Sequence, residues 1–254
     1  MSSSRKLHGK HVLVIGGTNG IGRGVTLAAI QDGARVTVVG SLQATVDKAV
    51  KDIKINYPSA QVSGLSCDLN RDSLEEDLEI LFDKIQGVDH IVMTAANSLP
   101  RQVPIQRIMA ADIQPANRRL QVMILLAKVA SRYLPSSRHS SLTFTSGSVA
   151  DQPHAGCSVL AYMAQGTLGM VRGLALDMKP VRVNVVEPGY VLDTGLWSHV
   201  PVEQVAQLRS TLAEKNPTGS AGLVEDVAEA YVYVMKDGNC TGEIIKSRSG
   251  QQLV

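Results

Sequence analysis

Cysteine is scarce in this sequence, and so are aromatic residues. The 254 residues include three cysteines and one tryptophan, and aromatic side chains make up 4% of the chain. Cys67, Cys157 and Cys240 are odd in number and far apart, with none of the short Cys/His spacings typical of metal ligands. We therefore expect neither a disulfide framework nor a metal site, and free thiols fit the reducing cytoplasm.

The sequence also lacks a surplus of charge and a long apolar run. Its 25 basic and 23 acidic residues give a formal charge of +2, which offers no broad attraction for nucleic acid or an anionic membrane. The longest apolar run, 122–127, is too short to span a bilayer, and the polar segment 1–10 lacks the apolar centre of a signal peptide. We expect a soluble cytoplasmic protein with a short flexible tail and a small-molecule substrate.

What the chain does have is a regular alternation of strand and helix patterns in a composition that is 44% apolar. Such alternation is typical of a parallel sheet covered by helices on both faces. The sequence predicts one α/β domain over 1–254, a doubly wound Rossmann fold with a seven-stranded parallel sheet. The predicted strands are 11–15, 35–39, 61–66, 90–93, 141–145, 181–186 and 243–245.

Helical periodicity between these strands predicts six helices. Two segments rich in proline and glycine, 94–112 and 190–222, are expected to be loops, and 190–222 is the expected substrate lid. The predicted helices are 20–33, 42–56, 72–86, 113–134, 156–179 and 224–237.

A glycine-rich turn follows the first predicted strand. Gly16, Gly20 and Gly22 would let the chain turn tightly and present the backbone amides of a helix start to a phosphate. The strand–turn–helix context predicts dinucleotide binding, although such turns also serve packing alone. The turn residues expected to contact the cofactor are Gly16, Thr18, Asn19, Gly20, Ile21 and Gly22.

The end of the second predicted strand bears on the choice of cofactor. NAD-binding proteins usually place an Asp or Glu here to bind the ribose 2′-hydroxyl, but this chain has Gly40 and Ser41. Ser41 would instead hydrogen-bond a 2′-phosphate, which favours NADP(H) over NAD. The alternative is that Ser41 caps the following helix.

The whole chain resembles the short-chain dehydrogenases/reductases. The resemblance is carried by the glycine turn, by Cys67-Asp68-Leu69, by Ala95-Ala96 and by the run from Arg182 to Gly189. It implies that Asp68 contacts adenine and that Pro188 and Gly189 border nicotinamide. The further cofactor positions that it implies are Leu69, Ala95, Val191 and Thr194.

The catalytic residues of that family are missing. Family members use an Asn, a Ser, a Tyr and a Lys, and the matching positions here hold Arg119, Gly147, Leu160 and Ala164. Tyr162 is an alternative acid, but the residue four positions later is Gly166 rather than Lys. A two-residue slip would also rotate Tyr162 by about 200° around its helix, so a packing role is the competing interpretation.

A fungal branch of the family, which includes reductase/Diels–Alderases of bicyclic indole alkaloid pathways, resembles this chain more closely. The resemblance rests on Arg119 and on segments 145–157, 180–186 and 230–237. Members keep NADPH and use an Arg at position 119 with an Asp in a Pro-Asp-Pro-Gly-Trp turn. Here His154 replaces that Asp and Cys157 replaces the Trp.

These substitutions yield candidate catalytic residues. Arg119 would hold a carbonyl, enolate or carboxylate, and His154 would act as acid or base. Asp151 would orient His154, and Ser146 would contact substrate. The competing interpretations are a surface ion pair for Arg119, an ordinary loop histidine and a turn-capping aspartate.

Three functions remain open on the sequence. The first is NADP(H)-dependent reduction of a carbonyl, imine or iminium of a secondary-metabolite intermediate. The second is a non-redox cyclisation or isomerisation, and the third is a binding protein without activity. Small residues on the 156–179 helix (Ala161, Gly166, Gly169 and Gly173) also predict a homodimer or homotetramer.

Overall fold

The computed structural model describes residues 5–85, 87–95 and 99–254. Its seven strands form one sheet in the order β3-β2-β1-β4-β5-β6-β7, and every neighbouring pair is parallel. The order reverses between β1 and β4, which is the doubly wound arrangement that the sequence predicts. The strands are β1 (His11–Ile15), β2 (Arg35–Gly40), β3 (Val62–Ser66), β4 (His90–Met93), β5 (Ser141–Thr145), β6 (Arg182–Pro188) and β7 (Ile244–Ser247).

Helices cover both faces of this sheet because successive strand side chains point to opposite sides. Leu13 and Ile15 of β1 pack in the cluster that includes residues of α3, α4 and α5. Val12 and Val14 pack in the cluster that includes residues of α1, α2 and α7. The helices are α1 (Gly20–Gln31), α2 (Gln43–Asn56), α3 (Leu74–Asp83), α4 (Ala110–Tyr133), α5 (Ser158–Asp177), α6 (Val202–Lys215) and α7 (Val224–Lys236).

Two expectations about irregular segments need correction. The predicted lid 190–222 contains a 14-residue helix, α6, whose half-buried face packs with Leu192 and Ala221. The predicted flexible tail does not extend through residues 5–10. Leu7 is completely buried in the core, and its amide donates to the Asp32 carboxylate over 3.0 Å. Residues 1–4, the rest of the predicted tail, lie outside the described residues.

Helix α4 begins at Ala110, three residues before the predicted start at residue 113. Proline is tolerated best in the first turn of a helix, and a start at 113 would place Pro115 there. The extra turn is stabilised by the Asp112 carboxylate, which accepts a 2.9 Å hydrogen bond from the Met109 amide. Arg119 lies more than two turns inside α4.

Among the described helices, α5 alone has the length and apolar composition to cross a bilayer. Core helices of globular domains meet the same criterion. One face of α5 packs on the sheet through Ala164, Leu168 and Val171. This burial explains its apolar composition without a membrane.

Candidate active site

A cavity of about 400 Å³ opens at the carboxyl ends of β1, β2 and β4. In doubly wound sheets this edge, at the reversal of strand order, is where ligands bind. The predicted cofactor residues Gly16, Thr18, Asn19, Gly20, Ile21, Gly22, Ser41, Asp68, Leu69, Ala95 and Thr194 all line it. Ala96, part of the predicted motif, lies outside the described residues.

Close packing of the backbone requires glycine at two positions of this turn. Gly16 has a φ of 93°, and a side chain there would overlap the backbone of Ala95. A side chain at Gly22 would overlap the carbonyl of Gly16. The tight turn that results directs the start of α1 into the cavity.

The first turn of α1 offers free amides to an anion. Its N-cap residue, Asn19, makes no side-chain capping hydrogen bond, and the Asn19 carbonyl first pairs with the amide of Arg23. The unpaired amides at a helix start attract phosphate, and the helix dipole adds to this attraction. The residues present therefore fit the pyrophosphate of a dinucleotide.

Around the expected adenine site, Asp68 and Cys67 follow β3. Burial raises the pKa of the Cys67 thiol to about 11, so this part of the cavity wall is uncharged at neutral pH. Ser41 lines both this cavity and an adjoining one that also contains Lys84 and an ion pair between Arg71 and Asp77 over 3.4 Å. The end of β2 carries no carboxylate.

A second cavity, of about 240 Å³, continues from the first past Ile21, Thr94 and Thr194. Pro188, Gly189 and Val191, the remaining predicted cofactor residues, line this second cavity. The two cavities together therefore contain every predicted cofactor position.

The four substituted positions meet in the second cavity. Arg119, Gly147, Leu160 and Ala164 come from α4, the loop after β5 and α5, yet all four line it. The alignment to the family's catalytic positions predicts that these four residues lie close together, and they share this cavity. Leu160 and Ala164 make the wall apolar where proton-transfer groups usually stand.

Arg119 is the charged residue of this cavity, and it is 7% exposed. Its Nη1 atom is buried without a hydrogen-bond partner, and within the described ranges its guanidinium has no carboxylate partner. Burial lowers the pKa of Arg119 to about 10, so it remains charged at neutral pH. The expectation of a surface ion pair is excluded, and a buried unpaired cation is suited to an oxygen acceptor of a ligand.

Ser146 lines the same cavity, as expected for a substrate contact. Its hydroxyl, however, donates to the carbonyl of Ala164 over 3.1 Å. This hydrogen bond joins the end of β5 to α5 and helps to fix the cavity wall.

The prediction that Asp151 orients His154 is wrong. The Asp151 carboxylate forms ion pairs with Lys246 and with Arg248, whose guanidinium also contacts the buried Glu187. The stronger attraction of two cations turns Asp151 toward β7. It thereby ties the loop after β5 to the end of the sheet.

His154 is exposed and does not line the cavity directly. Its Nε2 atom lies 3.1 Å from the hydroxyl of Tyr190, which does line it. The sequence reasoning missed Tyr190, as well as Trp197, whose ring centre lies 5.9 Å from that of Tyr190. Two aromatic residues closely following the Pro188-Gly189 motif were the available signal.

Tyr162, the alternative acid, lies outside the second cavity. Its side chain is on the outer face of α5, 50% exposed, and its hydroxyl donates to Asn117 of α4 over 3.1 Å. The two-residue offset from Leu160 turns Tyr162 away from the sheet. Tyr162 therefore cannot replace the missing family tyrosine.

Comparisons with known proteins agree with this site. The family model described as an SDR-like Rossmann domain matches residues 3–254. The short-chain dehydrogenase/reductase malC of Malbranchea aurantiaca is 37% identical over 97% of this chain and 96% of its own length. The short-chain dehydrogenase/reductase ATR9 of Stachybotrys chlorohalonatus is 35% identical over 97% of this chain and 98% of its own.

Solved structures give the same result. The MalC reductase/Diels–Alderase from Malbranchea aurantiaca superposes with a TM-score of 0.91, covering 99% of this chain and 100% of that one. A small-chain dehydrogenase in complex with NADPH, 21% identical, shares the fold with a TM-score of 0.77 over 97% of this chain and 100% of that one. Sequence, fold and site together show that the chain belongs to the short-chain dehydrogenase/reductase family, as an atypical member without the usual catalytic tetrad.

Proposed function

We propose that the protein is an NADP(H)-dependent oxidoreductase that reduces a carbonyl, imine or iminium of a secondary-metabolite intermediate. The observation that carries this proposal is Arg119, a buried cation with no carboxylate partner among the described residues, in an apolar cavity that continues into the dinucleotide cleft. The fungal relatives, one named as a reductase/Diels–Alderase, support the substrate class.

The dinucleotide cleft supports the choice of cofactor. The amides at the start of α1 would hold the pyrophosphate, and Asp68 would contact the adenine. Bound NADPH would supply a hydride. Ser41, with Lys84 in the adjoining cavity and no carboxylate at the end of β2, favours the 2′-phosphate of NADP(H).

Arg119 would bind and polarise the reacting group. A guanidinium that is already desolvated interacts strongly with an oxygen acceptor, because little water remains to compete. The same positive charge opposes a cationic iminium at close range. Among the three electrophiles we therefore favour a carbonyl, or an imine next to a carbonyl that Arg119 can hold.

A second candidate is a cyclase that uses the cavity to fold its substrate. Leu160, Met163 and Trp197 form apolar walls that can hold a flexible intermediate in a reactive shape. The reductase/Diels–Alderase name of the MalC structure supports this alternative. Arg119 would then stabilise developing negative charge on a carbonyl oxygen.

Incubation with candidate intermediates in the presence and absence of NADPH tests both functions. Loss of NADPH absorbance, matched mole for mole by reduced product, supports the reductase. Equal product yield with and without NADPH supports the cyclase instead. An Arg119→Met variant that forms product as fast as the unaltered protein would contradict both.

We further propose a homodimer or homotetramer that associates through α4 and α5. Tyr162, Ile124 and Leu176 are at least half exposed on these two helices. A side chain at Gly169 or Gly173 would meet open space. Because both positions are glycine, no side chain keeps a second helix away from this part of α5. Gly166 differs, because it faces Leu120 of the same chain.

A further inference from the structure

Tyr190 connects the interior of the second cavity with the protein surface. Its ring lines the cavity together with Arg119, while its hydroxyl lies 3.1 Å from Nε2 of the exposed His154. Its carbonyl accepts a 2.9 Å hydrogen bond from the amide of Gly222, which fixes the backbone. Packing against Trp197 limits the rotation of the phenol.

The other hydroxyls of the cavity are mostly committed to backbone carbonyls. Five side chains, from the ends of β4 and β5, from α5 and from the lid, donate in this way and so have no proton free for a ligand. Ser148 accepts a hydrogen bond from Gln251 over 3.3 Å, but no titratable group contacts its hydroxyl among the described residues. The five committed hydroxyls are those of Thr94 after β4, Thr145 and Ser146 at the end of β5, Thr167 of α5 and Thr194 of the lid, so the strand ends involved are those of β4 and β5.

Tyr190 differs because its hydroxyl contacts a side chain that can exchange protons with water. Burial raises the pKa of Tyr190, so the phenol is protonated at neutral pH. The titratable and charged groups around it are His154 and Cys157 near the start of α5, and Arg119 of α4 across the cavity. Asp151 is held by Lys246 and Arg248 instead.

We propose that Tyr190 is the catalytic acid of this site and that His154 is a positioning residue that passes protons to it from solvent. This inference rests on the proposed reductase function. It assigns the proton-transfer role to a residue of the loop after β6, on the wall formed by Pro188–Trp197, rather than to α5.

The proton balance is complete. When a carbonyl carbon accepts hydride from NADPH, its oxygen becomes an alkoxide next to Arg119. The O–H bond of Tyr190 then breaks, and its proton forms the alcohol. The resulting phenolate takes a proton from Nε2 of His154, and His154 recovers a proton from water.

The first test needs no substrate. In the cofactor-free protein, the NMR chemical shift of the His154 Nε2 nitrogen should change in Tyr190→Phe, because its 3.1 Å contact with the phenol oxygen is lost. Tyr162→Phe, which removes a hydroxyl on the outer face of α5, should leave this chemical shift unchanged. An unchanged chemical shift in Tyr190→Phe would overturn the proposal.

The second test measures NADPH oxidation with isatin, an indole-fused cyclic ketone with an adjacent amide, as the probe. Tyr190→Phe should lower kcat by about 10²–10⁴-fold with little change in KM and unchanged NADPH binding by fluorescence. His154→Gln should alter the pH profile of kcat while Tyr162→Phe does not. Full kcat in Tyr190→Phe would overturn Tyr190 as the acid but leave the reductase standing.

The two tests distinguish an error in the roles of Tyr190 and His154 from an error in the proposed reductase function. If the unaltered protein does not reduce isatin, that result counts against the reductase. The NMR comparison then still decides whether His154 and Tyr190 are in contact in solution.

Discussion

The hydroxyl of Tyr231 lies 2.7 Å from the hydroxyl of Thr145, and this pair cannot neutralise the nearby Arg119. Thr145 donates its own proton to the carbonyl of Met93, so it accepts the proton of Tyr231. Burial raises the pKa of Tyr231 far above its usual range, which keeps the phenol neutral. The charge of Arg119 is therefore left for a ligand to balance.

Replacement of Arg119 by Met should stabilise the protein while it removes function. An uncompensated buried charge is costly, and exchanging buried charges for apolar residues of similar size often stabilises by about 1–4 kcal/mol. In a domain of this size, each kcal/mol corresponds to a rise of about 2–4 °C in Tm. Thermal unfolding of the cofactor-free variant measures this. A lower Tm would mean that Arg119 has stabilising contacts in solution.

Arg182 should show the opposite behaviour and provides the matched control. It is equally buried, but its guanidinium donates to the carbonyls of Arg138, Val234, Met235 and Cys240. Arg182→Met would leave several of these buried carbonyls unpaired, at about 1–3 kcal/mol each. Chemical denaturation should show a clear loss of stability. A neutral result would contradict the assignment of Arg182 as a structural tie between α7 and β6.

The sequence predicts the fold and cofactor cleft well because both depend on local patterns. The parallel strands bring their carboxyl ends to one edge, and the turn from Gly16 to Gly22 follows from close backbone packing. Alignment also finds Arg119, because a helix carries it to a fixed place on the sheet.

The partners of the catalytic candidates were harder to predict because they depend on tertiary contacts. Asp151 is near His154 in sequence, yet the two cations Lys246 and Arg248 from β7 and the segment after it hold its carboxylate. His154 contacts Tyr190, which is 36 residues away in sequence. Sequence proximity favours the first pairing, and only the folded sheet reveals the second.

Ser41→Asp should reverse the cofactor preference. A carboxylate at the end of β2 would repel a 2′-phosphate and accept hydrogen bonds from an unmodified ribose. Calorimetric titration should show weaker binding of NADPH and tighter binding of NADH. Ser41→Ala is the control, since it removes the hydroxyl without adding charge. If Ser41→Asp binds NADPH unchanged, Ser41 lies away from the 2′ position. The alternative role as a helix cap is already wrong, because the N-cap of α2 is Leu42 and has no side-chain capping hydrogen bond.

His90 should make the protein sensitive to acid. It is buried at the start of β4, where its Nδ1 lies 2.8 Å from the Ser141 hydroxyl, and burial lowers its pKa to about 3 from 6.5. Below pH 6.5 the His90 side chain therefore binds a proton in the unfolded chain but not in the folded protein. Stability is retained above pH 6.5 and falls as the pH drops toward 3.

His90→Asn should flatten this part of the pH dependence, because the replacement does not titrate. Denaturant unfolding measured at several pH values between the two limits would show the smaller slope. The matched control is His199→Asn at an exposed histidine outside the proposed site, which should keep the slope of the unaltered protein. Equal slopes in all three proteins would contradict a neutral, buried His90.

Gly173→Glu should disrupt the proposed association of chains. A carboxylate on the outer face of α5 would be buried against a second copy, and burying an unpaired charge is unfavourable. Light scattering should give a multiple of the 27.1 kDa chain mass for the unaltered protein and a smaller assembly for the variant. Asn56→Glu, at the exposed end of α2, should leave the mass unchanged. A mass of one chain for the unaltered protein would refute the dimer or tetramer, whatever the variants show.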